Sequence, residues 1–511
     1  MFVSTLLNAV RVLRPSLVFL TLLLIIAAFY FPIFHSDFGI IDDHEIVNFL
    51  ALDPFSISKL WIILINETEV GHPFDTARYR PVYYFVRLIE TRVWAEDVGV
   101  WYLFRIVIFA YFASEFFVLV RRLFGPSYAI VFFLWMLTSK IFIDIFGRLG
   151  PSETYGVLGC AICLTAVRRI QARKLGFLES VLIAVGTLIA IGSKENFVFL
   201  LLPLAVAIVV STDWENILGR IVLFASFVIN LLIWAAVLPG TLGRGTNIYQ
   251  DAIPTFSLLS IYPMGTSLAL ASVAGAGLLV FSKFVWQHLS RLSFSHRQIE
   301  LLLWLGLFAS GLIIQLFVYR ELKTGNRYGF PGVPMVGFVL ICMVSWILDR
   351  FRDFSWPSKI KSLFPSVLTA AILLIFVGPA VDAQERIRSS VSATREFQAE
   401  YAKLYKAIKS RGKVDVVLAI HGPSAYEPVF SVKRFLKKDF GEMNVSISVE
   451  TDEEFAGALK SKLMSRLREI ELNGRVGWVS LKEINEANCI SVLFSGSETR
   501  LSCPVVSRPW Q

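Results

Sequence analysis

The feature that most constrains this chain is a succession of about eleven apolar runs, most of them near the length of a membrane crossing. A helix spanning about 30 Å of hydrocarbon needs roughly 20 mostly apolar residues. The first run is Leu13 to Phe34. The others lie near Val100–Val120, Tyr128–Phe146, Thr154–Val167, Phe177–Ile191, Phe197–Val210, Ile221–Leu238, Ser257–Phe281, Leu301–Tyr319, Gly332–Leu348 and Leu363–Val381. The chain is 55% hydrophobic and only 17% charged, with a mean hydropathy of +0.63, against about 45–50% apolar and about 25% charged in soluble domains. These figures exclude a disordered chain, a disulfide scaffold and a simple cytosolic enzyme. The expected class is an α-helical polytopic membrane protein.

Charge distribution orients the runs. Net charge is +9, but the excess sits in short clusters between runs, as membrane topology requires. That pattern points to membrane lipids as partners and not to nucleic acid. Arg121/Arg122, Arg168/Arg169/Arg173/Lys174, Lys283/Arg291/Arg297 and Arg350/Arg352/Lys359/Lys361 fall on one side if every run crosses once, together with Arg11 and Arg14. The N-terminus is therefore expected in the cytoplasm. The first run is too long, and lacks the small-residue cleavage pattern, for a signal peptide. An odd span count places the tail outside. The short polar loops suggest a bacterial inner membrane.

The organisation expected is a transmembrane domain over residues 1–381, with an acidic outer loop at 35–98, followed by an extracytoplasmic domain at 382–511. The tail alternates helix-like stretches (384–410, 430–440, 453–471) with strand-like ones (414–420, 445–449, 476–481, 490–494). Such alternation predicts a small α/β domain. Cys160 and Cys163 fall in an apolar run and read as buried thiols, whereas Cys489 and Cys503 stand in the tail, where pairing is open.

The outer loop carries Asp37-Phe-Gly-Ile-Ile-Asp42-Asp43-His44-Glu45 directly after the first run. Adjacent carboxylates in a partly dry site cannot both ionise freely, so one is a candidate general base for an acceptor hydroxyl, Asp42 or Asp43. Asp42, Asp43 and Glu45 also offer hard oxygen ligands suited to Mg2+ or Mn2+, the candidate cofactor. Further on, Pro81 suits a first helical position. Val82, Phe85, Val86, Ile89 and Val93 then share one face, which predicts a helix lying on the membrane. Its start, Arg78-Tyr79-Arg80, places two guanidinium groups close to the acidic motif.

Other charges interrupt or end the runs. Arg105 and Glu115 fall within the second, and Lys140 and Asp144 within the third at i, i+4; paired interior positions are expected for such residues. Arg148 with Glu153, and Lys194 with Glu195, place a base and an acid at the outer boundary. The outer loop holding Arg320, Glu321, Lys323, Arg327 and Tyr328 breaks the positive-inside trend. Arg320, Lys323 and Arg327 are candidates to grip a phosphate, and Arg244 is a weaker one of the same type.

Taken together, Asp42-Asp43-His-Glu-Ile-Val-Asn48, Arg78-Tyr-Arg-Pro81, Gly147-Arg148 with Glu153, Ser193-Lys194-Glu195 and Asn326-Arg327-Tyr328 resemble the GT-C superfamily of membrane glycosyltransferases. The likeness is to protein O-mannosyltransferases and bacterial lipid-linked sugar transferases, and it covers roughly Arg11 to Val381. The resemblance implies interfacial helices in the first outer loop, an acidic catalytic motif there, and a polyprenyl-phosphate sugar donor used on the non-cytoplasmic face. The acceptor, whether glycan, lipid or protein, is left open, since the tail lacks the helical repeats of some relatives. A flippase for lipids or lipid-linked sugars and a non-catalytic assembly subunit are the alternatives. The first would favour paired, symmetric halves, which the chain lacks; the second needs no acidic motif.

Overall fold

The computed structural model describes residues 14–39, 43–52, 57–68, 70, 79–172, 175–210, 217–243, scattered positions between 304 and 338, 376–411, 415–420, 426–441, 445–449, 489–495 and 498–502. Thirteen helices of the described residues are used below: α1 (Pro15–Phe29), α2 (His44–Leu50), α3 (Ile57–Glu67), α4 (Pro81–Trp94), α5 (Val98–Phe124), α6 (Pro126–Thr138), α7 (Lys140–Phe146), α8 (Glu153–Ala172), α9 (Phe177–Ser193), α10 (Leu201–Val210), α11 (Ile217–Gly243), α12 (Val377–Arg411) and α13 (Tyr426–Phe440).

The chain is a helical membrane protein. Among the described residues α5 and the Ile217–Ala236 part of α11 are each long and apolar enough to cross a bilayer, and α6 with α7 makes a third if that bent pair is one span. The run at Ser257–Phe281 lies outside the described residues, that at Leu363–Val381 is described only from Phe376, where it enters α12, and those at Leu301–Tyr319 and Gly332–Leu348 are described only at scattered positions.

Local chemistry sets the element ends. Asp97 caps α5 by accepting from Val100 N at 3.1 Å. Gly125, at φ +103°, turns the chain from α5 into α6, a conformation open to glycine. At Ser139 the axis bends by 59°, and the Ser139 hydroxyl accepts from Ile141 N to start α7. Helices α8 and α9 approach closely because glycine faces glycine: a Cβ on Gly159 would lie 2.3 Å from Gly186 O and 2.7 Å from the Ala190 Cβ. Small residues serve apolar helix pairs in this way. Cys160 and Cys163 lie along α8 as free thiols.

Helix α4 packs with its polar face inward. Arg87, Glu90 and Tyr83 are buried, while Phe85, Ile89 and Val93 are exposed, as are Trp61 and Ile62 on α3. This is the arrangement of a helix whose apolar face meets lipid and whose polar face meets protein.

Buried charges find partners, but not always those expected. Arg105 meets Glu90 at 3.2 Å, and Glu115 takes a two-pronged contact from Arg168 at 2.8 and 2.9 Å. Arg169 meets Glu179 at 2.8 Å. The expected Lys140–Asp144 pairing is not formed. Both residues line a cleft beside α12 instead, because the bend at Ser139 turns α7 out of the line of α6.

From Val377, α12 runs back over the segment that follows α1. Thr394 meets Ser36 at 2.7 Å, Arg395 donates to His35 O at 3.0 Å, and Gln398 donates to Phe38 O at 2.7 Å. Helix α13 packs on α2, with the Ser431 hydroxyl 3.0 Å from His44 Nδ1. Tyr401 donates to Asp439 at 2.8 Å and Phe397 stacks near Phe435, joining α12 to α13. Ile387, Val391, Phe397, Val432 and Phe435 belong to the same apolar core as α1 and α5. Four strands follow α12 in the order β2-β1-β3-β4: β1 (Asp415–Ile420) pairs in parallel with β2 (Val445–Val449) and β3 (Cys489–Ser495), and β4 (Glu498–Ser502) is antiparallel to β3.

Candidate functional site

Helix α2, the starts of α4 and α8, the end of α9 and the turn Arg327–Gly329 carry two polar groups. The first surrounds Asp43, which is 2% exposed. Its Oδ2 accepts from Gly39 N at 2.8 Å, and its Oδ1 accepts from Leu149 N at 3.1 Å and Gly150 N at 2.9 Å. The carbonyls of the same dipeptide are held from the other direction. Arg87 donates to Leu149 O, and the Tyr83 hydroxyl is 2.8 Å from Gly150 O. The corner between α7 and α8 is thus gripped through its own main chain, so Asp43 works as an acceptor of peptide N–H groups.

Glu45 lies within hydrogen-bond reach of the Tyr83 and Tyr84 hydroxyls. Burial, together with the Glu45 carboxylate, pushes the Tyr83 phenol well above its ordinary pKa, so it stays a donor at neutral pH. Asp43 and Glu45 therefore spend their oxygens on N–H and O–H donors. Among the described residues no group of three His, Cys, Asp or Glu side chains is placed to hold a metal ion. Asp42, the third expected ligand of Mg2+ or Mn2+, lies outside the described residues.

The second group is a buried charge cluster assembled from four distant stretches. Arg80 precedes Pro81, which opens α4; Glu153 opens α8; Lys194 closes α9; Glu195 starts a 3-10 turn. Arg80 grips Glu195 through Nε at 3.2 Å and Nη2 at 3.3 Å. Lys194 Nζ lies 3.0 Å from Glu153 and 3.9 Å from Glu195, and 5.3 Å from the centre of the Tyr328 ring. Arg327 stacks over the same ring at 5.2 Å. Asn196 donates to Phe330 O at 2.6 Å, fixing this turn against the end of α9.

Among the described residues, three cations here face two carboxylates. Burial raises the Glu153 carboxyl, but Lys194, Arg327 and Arg80 together outweigh that and hold it below the usual carboxylate range. Burial and neighbouring Arg80 push the Lys194 ammonium below its ordinary value, against the pull of Glu153 and Glu195. Both shifts register an excess of positive charge in a water-poor setting, which suits an anion such as a phosphate.

The site differs from expectation in several places. Arg80, expected near the acidic motif from its position in the loop, pairs with Glu195 just past the end of α9, because α4 packs against both α2 and α9. Arg148 is exposed and lines the cleft beside α12, outside the cluster. Asp42, Arg78, Arg244, Arg320 and Lys323 lie outside the described residues. Sequence reasoning missed one network: Glu90 takes Arg87, Arg105 and the Tyr155 hydroxyl, all buried. The signal was Arg105, a charge within an apolar run that requires a buried counter-charge.

No protein family model and no curated protein matches the chain.

Proposed function

We propose that this chain is a GT-C-like membrane glycosyltransferase, transferring a sugar from a polyprenyl-phosphate carrier to an acceptor hydroxyl on the non-cytoplasmic face. The observation that carries this reading is the meeting of buried Arg80, Glu153, Lys194 and Glu195 with half-buried Arg327 and Tyr328 in one cluster whose described residues carry an excess of cations. Hydropathy supports about eleven spans around it, in a bacterial inner membrane, with an extracytoplasmic α/β unit built on α12, α13 and the four strands.

In this mechanism the bond between the anomeric carbon and the carrier phosphate breaks as the acceptor oxygen bonds to that carbon. The acceptor proton passes to Asp42, since the oxygens of Asp43 are engaged by peptide N–H groups. Negative charge grows on the departing phosphate, and Arg327, Lys194 and Arg80 stabilise it more than they stabilise the ground state. Glu153 and Glu195 hold the cations in place.

Purified protein in liposomes, supplied with a polyprenyl-phosphate hexose, tests this reading. Release of polyprenyl phosphate, lost in both Asp42→Asn and Arg327→Ala, is expected. Turnover close to the unaltered protein in both variants would sink it.

A further inference from the structure

A cleft of about 610 Å3 opens between α7 and α12, within the volume range of ligand sites, about 300–1,000 Å3. Lys140, Arg148 and Arg386 supply three cations to its wall, and Asp144, Asp382 and Glu385 supply three carboxylates. Gly147 and Arg148 of its lining lead directly into the corner that Asp43 and Arg87 lock, since Arg148 is followed by Leu149, whose N–H is bound by Asp43. Its other wall, α12, is fixed to the first outer segment through Thr394 and Gln398.

This composition differs from the neighbouring cluster in a way that bears on the ligand. Among the described residues the cluster has surplus positive charge, whereas the lining of the cleft carries three charges of each sign, a balance that suits a neutral ligand better than a phosphate. Carboxylates accept hydrogen bonds from hydroxyl groups, and guanidinium and ammonium groups donate to hydroxyl and ring oxygens. Alternating the two along one wall matches a neutral group that carries many hydroxyls, each both donor and acceptor.

We infer that the α7–α12 cleft is a binding site for a neutral polyhydroxylated group, the sugar part of the acceptor, which it delivers to the acidic turn past Arg148. The assignment of this sugar as acceptor rests on the glycosyltransferase reading; its binding in the cleft does not. A glycolipid head group and a free sugar share this chemistry.

The test uses the full chain in lauryldimethylamine oxide, a detergent with no sugar. The probe is an alkyl maltoside carrying a photoreactive diazirine on the sugar, with the labelled peptides mapped by mass spectrometry. Label on residues 140–148 and 382–393 is expected, reduced about tenfold by Asp144→Asn with Glu385→Gln, since each removes a charged acceptor of hydroxyl groups. Ser389→Trp, at an exposed position of the cleft wall, fills the space without touching the charges and serves as the second variant. Competition by octyl glucoside but not by free maltose indicates a glycolipid head group, and competition by both a free sugar; either supports the site. Label elsewhere, or label in the cleft unchanged by all these variants, overturns it. Cleft labelling with no transfer activity would keep the site and remove only the glycosyltransferase reading. Transfer activity dependent on Asp42 with label elsewhere would do the reverse.

Discussion

A 2.9 Å hydrogen bond joins Asp43 Oδ1 to the main-chain N–H of Gly150, 107 residues further along the chain. With Leu149 N and Gly39 N on the same carboxylate, it makes Asp43 the fastening between the segment that follows α1 and the α7–α8 corner. Asp43→Asn puts an NH2 group against a peptide N–H whichever way the amide turns. A buried donor left without an acceptor costs about 1–3 kcal/mol, so a lowered melting temperature is expected in detergent. Asp42→Asn is expected to leave melting unchanged while turnover falls roughly 100- to 10,000-fold, the usual contribution of a general base. Equal melting temperatures for Asp43→Asn and the unaltered chain would show that the corner is held by other means.

Lys194 and Glu153 form a buried pair, and removing one partner leaves the other charged in a dry site. Breaking such a pair costs about 3–5 kcal/mol. Lys194→Met alone is expected to destabilise strongly, and Lys194→Met with Glu153→Gln to recover part of the loss. Additive losses in this double-mutant cycle would mean that the two charges are not coupled.

The same pair sets an acid limit. The Glu153 carboxyl is held lower in the folded chain than in the unfolded one. Its contribution is therefore complete above the unfolded value of about 4.3 and is lost as pH falls through the lower, folded value. Glu153→Gln is expected to flatten the acid side of the stability profile below about pH 4.3 and leave the neutral side parallel. A profile of unchanged shape would place the acid-sensitive group elsewhere.

Helix α12 straps the segment ahead of the acidic turn through Ser36–Thr394 at 2.7 Å and Gln398–Phe38 O at 2.7 Å. Thr394→Val with Gln398→Ala removes both contacts from the tail side and leaves the loop sequence intact. Amide exchange at 36–47 is expected to quicken, with α8 and α9 unaffected. Unchanged exchange at 36–47 would mean that the packing of α13 on α2 suffices to hold the turn.

Much of the cluster was legible because Glu153, Lys194, Glu195 and Arg327 each stand close to the end of an apolar run. Hydropathy and charge bias fix depth in the membrane, so residues at equal depth can be named from sequence. They do not fix which helices are neighbours. Position in the loop puts Arg80 close to the acidic motif, and only the lateral packing of α4 on α9 reveals Glu195 as its partner. The amphipathic pattern of α4 is equally blind to direction: the same spacing of Phe85, Ile89 and Val93 serves lipid or core, and only packing buries Arg87 and Glu90. The part played by Asp43 had no motif at all, since its partners are peptide N–H groups that any residue supplies.

Arg327 allows the sharpest separation of charge from geometry. It stacks on Tyr328 and lowers the Glu153 carboxyl through space, so its guanidinium lies in the field of the cluster. Arg327→Lys keeps the charge but loses the planar fork that meets two phosphate oxygens together. If Arg327 holds the carrier phosphate, Lys is expected to recover little of what Arg327→Ala loses. The loss should appear in kcat as well as KM, because charge on the leaving phosphate increases towards the transition state. If Arg327 only balances Glu153, Lys meets that need, and Arg327→Lys should restore both melting temperature and turnover. Steady-state kinetics with a polyprenyl-phosphate hexose, beside thermal melts of the same three proteins, distinguishes the two. Lys restoring stability without restoring kcat would assign the fork to the phosphate and the charge to the fold.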